Sequence, residues 1–279
     1  MICKVDWISF VVKLDSAFDG GSTFHNDYVM GMLRDLFAGD TGVAMFDQPF
    51  AVARGRAPYS VCLRREDQHL SVFYGGKQAH ILIEITGAGC EALERRSQLV
   101  PLLEMVGPVL TRLDVAVDLP VSCKPIEFVS AGYSARIKAN SSMVSDTGET
   151  VYIGSRDSER YCRVYRYNPP HPRSEWLRVE YVNKHENAAH IASLILDVGL
   201  PEVVARLGNV FAWKHPAWQP DKTTEATVSG WTPERRHGAT VRWLLTSVFP
   251  AVARLVKDGT IDDLPAFLDT HLYRLVNDQ

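Results

Sequence analysis

The sequence predicts an α+β fold, with largely antiparallel sheet, packed helices and a C-terminal helical appendage. Three observations carry this expectation. Short runs rich in β-branched and aromatic residues alternate in polarity between glycine and polar turns. Stretches between them repeat apolar residues at helical spacing and carry stop signals such as Gly39. From residue 208 onward the strand pattern gives way to a loop-like run and then helical spacing alone.

In chain order, DWISFVVKL reads as the first strand. After Gly20-Gly21, a helix is expected from Thr23 to Ala38, with Phe24, Tyr28, Met32 and Phe37 near one stripe. Tyr59 to Leu63, Leu70 to Tyr74 and His80 to Thr86 read as strands. Thr86-Gly87-Ala88-Gly89 opens a second helix carrying Leu93, Leu99, Leu103 and Val106, and Leu110 to Leu119 is the next strand. Arg136 to Ser145 and Thr150 to Gly154 form a hairpin about Asp146-Thr147-Gly148-Glu149. Strands at Tyr161 to Tyr167 and Trp176 to Val182 precede a helix from Glu186 to Val198. ILIEITGAGCEAL in the first half answers LRVEYVNKHENAA in the second, which suggests a pseudo-twofold duplication with halves 1–107 and 108–207. The α+β domain is thus expected over 1–207. A linker with Trp213 and Trp218 follows over 208–279, then helices begun by Thr232-Pro233 and by Asp262 or Asp263.

With 279 residues, 46% hydrophobic and 23% charged, the chain reads as an ordinary globular protein. Its net charge of -3 excludes a wholly basic nucleic-acid binder, so any polyanion must meet a local patch. The five cysteines show no CxxC or CxxH pair that would hold zinc and read as reduced thiols. Asp6 interrupts the N-terminal apolar run, and no apolar run reaches the roughly 18 residues that span a bilayer. A cytoplasmic protein without membrane contact is expected.

The local patch is VYIGSRDSERYCRVYRYNPPHPRSEWLRVEYV, with arginines 156, 160, 163, 166, 173 and 178. Along YCRVYRY, strand parity puts Tyr161, Arg163, Tyr165 and Tyr167 on one face. In LTRLDVAVDLP it puts Asp114, Ala116 and Asp118 together, and in LRVEYV it puts Glu180 beside Arg178. If those two strands are neighbours, the three carboxylates suit Mg²⁺ or Mn²⁺ better than zinc. A tyrosine beside an arginine and such an ion suits phosphoryl transfer. The same residues also fit a solvated polar sheet face with cross-strand Tyr/Arg packing. Gly87-Ala88-Gly89 reads as a helix cap, Arg235-Arg236-His237 as a solvated first turn, and Trp213 and Trp218 as packing residues rather than base-stacking ones.

In fixed order, TRLDVAVD, VYIGSRDSERYCRVY and WLRVEY resemble the replication initiation factor family, the rolling-circle Rep proteins of filamentous phages and staphylococcal-type plasmids with related relaxases. VDWISF, ITGAGCEAL and TVRWLLTSVFPAV extend the resemblance over nearly the whole chain. It implies a metal-dependent, site-specific DNA nickase that forms a 5′-phosphotyrosine link and frees a 3′ hydroxyl. Tyr165 is then the nucleophile with Tyr161 in reserve, and Arg163 with Arg156 holds the phosphate. Asp114, Asp118 and Glu180 hold Mg²⁺ or Mn²⁺, and Arg156, Arg160, Arg166 and Arg178 face DNA. Origin DNA, double- and single-stranded, is the implied partner, with host helicase, polymerase and a second copy of the chain. Family members usually follow RVY with an acidic residue and a lysine, where this chain has Arg166-Tyr167. A non-catalytic DNA-binding or recombination-regulating relative is the alternative.

Overall fold

The computed structural model describes residues 1–13, 26–38, 49–65, 69–76, 78–133, 140–145, 148–167 and 176–219. All of them lie in one compact unit, Met1–Pro233. The first elements are β1 (Ile2–Lys13), α1 (Asn26–Ala38), β2 (Ala51–Arg54), β3 (Val61–Arg65), β4 (Leu70–Tyr74) and β5 (His80–Thr86), followed by α2 (Ala88–Arg95) and α3 (Leu99–Val106). A 3-10 turn at Gly107–Val109 leads into β6 (Leu110–Leu119). Then come α4 (Pro125–Ser130), β7 (Asn140–Ser145), β8 (Gly148–Ile153), β9 (Arg160–Tyr167), β10 (Trp176–Lys184), α5 (Glu186–Val198) and α6 (Leu200–Phe211).

The strands form one 10-stranded sheet in the order β2-β3-β4-β5-β1-β6-β10-β9-β8-β7, each pair antiparallel. The α+β class with a large antiparallel sheet is therefore the observed one. The element order β, α, four β, two α occurs once from β1 to α3 and again from β6 to α6. The two runs meet where β1 pairs with β6. Register repeats as well: Ser9 faces Glu84 as Asp114 faces Val182, and Val11 faces Leu82 as Ala116 faces Glu180. The match of letters between ILIE and LRVE set Glu84 against Glu180; the backbone shifts that by two residues and sets Leu82 against Glu180. The turns into α2 and α5 fix the shift. Gly87 (φ 42, ψ -107) and His185 (φ 50, ψ -125) are equivalent caps, and their N–H groups donate to Asp6 O at 2.9 Å and Thr111 O at 3.0 Å.

One face of the sheet builds the core. Ile8, Phe10, Leu113, Val115, Val179 and Tyr181 point into it and meet Leu33, Leu103, Ile191 and Val203 from the helices. Each fully buried side chain of this kind contributes roughly 1.5–3 kcal/mol, so packing of the helical layer on this face is a large stabilising term. The opposite face carries the polar chemistry.

Several boundaries differ from expectation for local reasons. The helix expected through Val106 breaks at Ser97 (φ 57), where Gln98 N donates to Leu93 O at 2.8 Å. Pro101, three residues into α3, would collide with the carbonyl one turn earlier in an unbroken helix. Gly199 (φ 83) and Pro201 likewise end α5 and start α6, a stop and start signal unread in the sequence, so the boundary at 207 falls inside a helix. Pro125 and Glu127, whose side chain accepts from Lys124 N at 3.0 Å, set up the equally unexpected α4. The short edge strand β2 also escaped the pattern. The C-terminal helices expected beyond residue 219, with Arg235-Arg236-His237, lie outside the described residues. Among the described residues no helix is long and apolar enough to cross a membrane.

Candidate active site

The alternation of β6, β10 and β9 sets their polar side chains on one face in rows across the strands. Asp118, Arg178 and Tyr165 form one row; Ala116, Glu180, Arg163 and Tyr152 the next; Asp114, Val182 and Tyr161 the third. Within this grid Glu180, fully buried, is the centre. Its Oε2 accepts the Tyr165 hydroxyl at 2.8 Å, its Oε1 accepts Arg163 Nη2, and it shares a hydrogen bond with Asp114. The Arg163 guanidinium lies 5.4 Å from the centroid of the Tyr165 ring. Its Nε is buried without a hydrogen-bond partner.

The two adjacent acids are driven apart electrostatically. Burial, reinforced by the Glu180 charge, pushes the Asp114 carboxyl well above the usual carboxylate range despite Arg112, whose Nε donates to its oxygens at 2.9 and 3.1 Å. Burial would raise Glu180 too, but Arg163 and the bonds from Asp114 and Tyr165 outweigh it and hold Glu180 low. The two carboxyls are thus pushed in opposite directions, Asp114 toward its protonated form and Glu180 toward its charged one. Burial first, then the Glu180 charge, pushes the Tyr165 phenol far above its usual range. Tyr161 is raised chiefly by burial, and the Lys184 ammonium lies 5.3 Å from its ring centroid.

Asp118 does not join this cluster. Four residues of strand separate it from Asp114, about 13 Å, too far for one ion to bridge. Its carboxylate is engaged by Arg178 at 2.6 and 2.9 Å and by Lys4 at 3.1 Å. Among the described residues no group of three His, Cys, Asp or Glu is arranged as a metal site, so the expected three-carboxylate centre is not formed. Asp114 and Glu180 remain as an adjacent oxygen pair, a donor set suited to Mg²⁺ or Mn²⁺, in which an ion would take the place of the shared proton.

The arginines expected to face DNA divide. Arg178 is 4% exposed and joins Asp118 to Asp6, 2.9 Å away, so it locks β10, β6 and β1 together and has no free surface for DNA. Arg160 is half-buried, with Nη2 on Asn187 at 2.8 Å. Arg156 and Arg166 are exposed, Arg156 with its guanidinium 5.1 Å from the Tyr152 ring centroid. Trp213 and Trp218 are packing residues: both are 8% exposed, and Trp213 Nε1 donates to Tyr181 Oη at 2.8 Å. Gly87 caps α2.

Three site residues were missed. Arg112 was legible, since it shares a parity with Asp114; it also stacks 4.3 Å over Trp7. Lys4 could have been read from β1 in the same way. Asp6 was not legible, because simple alternation back from Ile8 and Phe10 puts it on the core face. A register shift between Val5 and Trp7 inserts it as the extra residue of a bulge and turns it onto the polar face. There burial raises its carboxyl against the pull of Arg178.

No protein-family model matches the chain, and no curated protein is significantly similar to it. The structure is similar to that of a rolling circle replication initiator protein from Geobacillus stearothermophilus, with a TM-score of 0.53 and 22% sequence identity over 75% of this chain and 84% of that one. The two share a fold.

Proposed function

We propose that the chain is a rolling-circle replication initiator that nicks DNA at its own origin with Tyr165 as nucleophile. One observation carries the reading: the Tyr165 hydroxyl donates to a buried, charged Glu180 that is itself bound to Arg163. The shared fold and the ordered motifs TRLDVAVD, RYCRVY and WLRVEY support it.

In the step this arrangement supports, the phenolic oxygen attacks phosphorus while its proton passes to Glu180. The bond from phosphorus to the 3′ oxygen breaks, that oxygen leaves as a hydroxyl after taking a proton from water, and the 5′ phosphate stays on Tyr165. Arg163 faces the negative charge that grows on the phosphate oxygens. Asp114 and Glu180 would hold Mg²⁺ or Mn²⁺, which supplies charge neutralisation at the phosphate when bound. Tyr161, one row beyond Arg163, is the alternative nucleophile. Arg166-Tyr167 stands where the family that the motifs resemble carries an acidic residue and a lysine after RVY.

The test is incubation with supercoiled DNA of the replicon that encodes the chain, with Mn²⁺, followed by denaturing electrophoresis. A 5′-linked protein adduct is expected. Its absence on both supercoiled and single-stranded substrates would leave the non-catalytic DNA-binding reading in its place.

A further inference from the structure

Positions equivalent to the site in the first half carry no such chemistry, yet they are not bland. Phe73 stands where Arg163 does and Leu82 where Glu180 does. With Tyr59, Cys62, Val11 and Ala53 they form an apolar cluster on the same sheet face as Tyr165. Arg56 lies on top, its guanidinium 4.4 Å over the Phe73 ring and its edge on the Glu84 carboxylate. The Arg56 side chain is still 53% exposed, so the plane is held from below and from the side while its outer face is open.

The loop bearing it is fixed. Tyr59 N donates to Arg56 O at 2.7 Å, Tyr59 Oη bonds His80 Nε2 at 2.8 Å, and a side chain on Gly76 would come within 2.4 Å of the Pro58 carbonyl oxygen. Arg64 and Lys13 are exposed on the same face beside it. Among the described residues of this patch, the one acid is Glu84, already bound to Arg56.

We infer that Arg56 is a preorganised stacking platform for an unpaired base of single-stranded DNA, with Arg64 and Lys13 on the flanking phosphates. A guanidinium plane held on an aromatic ring pairs a π surface with positive charge, as stacking on a strand of any sequence requires. Five strand spacings and about six residues of offset put Phe73 roughly 30 Å from Arg163, a span that a dT24 strand can cover. The inference rests on the proposed function for the identity of the polymer, and its test does not need nicking.

Fluorescence anisotropy with fluorescein-labelled dT24 should show about tenfold weaker binding by Arg56→Ala. Arg56→Lys, which keeps the charge and loses the plane, should recover less than half of that loss on a logarithmic scale. Arg64→Ala should flatten the slope of log affinity against log salt by about 0.7. Arg95→Ala, on α2 across the sheet, should bind as wild type. Unchanged dT24 affinity in both Arg56 variants, or no affinity in wild type, overturns the platform even if a tyrosyl adduct forms. An equal loss on a 24-base-pair duplex also overturns it. Arg56-dependent binding without any adduct supports the platform and sinks the nicking reading instead.

Discussion

Where the second half of the sheet sets Arg163 against Glu180, the first sets Phe73 against Leu82; where the second has Asp114, the first has Ser9. The backbone frames are equivalent in register, down to the left-handed caps Gly87 and His185. Either filling of the face therefore satisfies the fold. Buried ion pairs are weak contributors to stability because desolvation cancels most of the attraction, and apolar replacements often stabilise. The first half shows what this position looks like without charge. The charged cluster of Arg163, Glu180, Asp114 and Tyr165 is therefore not something the fold itself demands.

The largest effect should come from removing one atom of the charged half. Tyr165→Phe keeps the ring and should eliminate the covalent DNA adduct, while origin binding in a mobility-shift assay stays within about twofold, since only the nucleophilic oxygen is lost. An adduct that survives in Tyr165→Phe and vanishes in Tyr161→Phe would move the nucleophile to Tyr161.

Next comes exchange of the fillings. Glu180→Leu alone leaves the half-buried Arg163 without its carboxylate partner and should cost about 1.5–3 kcal/mol in urea unfolding. The double variant Arg163→Phe/Glu180→Leu, which copies the first half, should regain most of that loss and show no nicking. If the double variant is no more stable than the single one, the two halves are not interchangeable frames.

A smaller effect tests the caps. His185 holds a backbone conformation that its counterpart meets with glycine, so His185→Gly should stabilise the chain by about 1–3 kcal/mol, read as a higher urea midpoint. A lower midpoint would mean that the imidazole contributes more than the strain costs.

The smallest concerns the shared proton. Because the folded Asp114 carboxyl is raised, the folded chain keeps a proton that the unfolded chain loses above about pH 4, and its contribution to stability falls as pH rises from there. Asp114→Asn, which can still donate to Glu180, should flatten that decline and raise the melting temperature by a few degrees at neutral pH. Nicking should be lost. An unchanged pH profile would show that Asp114 does not carry the proton.

Much of this was legible in the residues. The alternation of LTRLDVAVDL and RYCRVYRY fixed which side chains share a face, and Glu186–Val198 ended where its pattern did. Helix breaks at Ser97 and Gly199 were signalled by Pro101 and Pro201 and passed over. Which charges meet was less legible, because parity assigns a face and not a partner. Asp118 and Arg178 have the right parity for a metal site and a DNA contact, yet they bind each other.

By itself the sequence determined the element types, the faces of the strands and the ordered motifs, because side-chain alternation is a local property of an extended chain. Only the tertiary structure decided that β10 lies between β6 and β9, which brings Glu180 to both Asp114 and Tyr165. It alone decided that a bulge turns Asp6 to the polar face and that the first half meets the same frame with Phe73 and Leu82. Strand order and register join residues far apart in the chain, and what selects them is burial of the whole helical face, a quantity that no single segment carries.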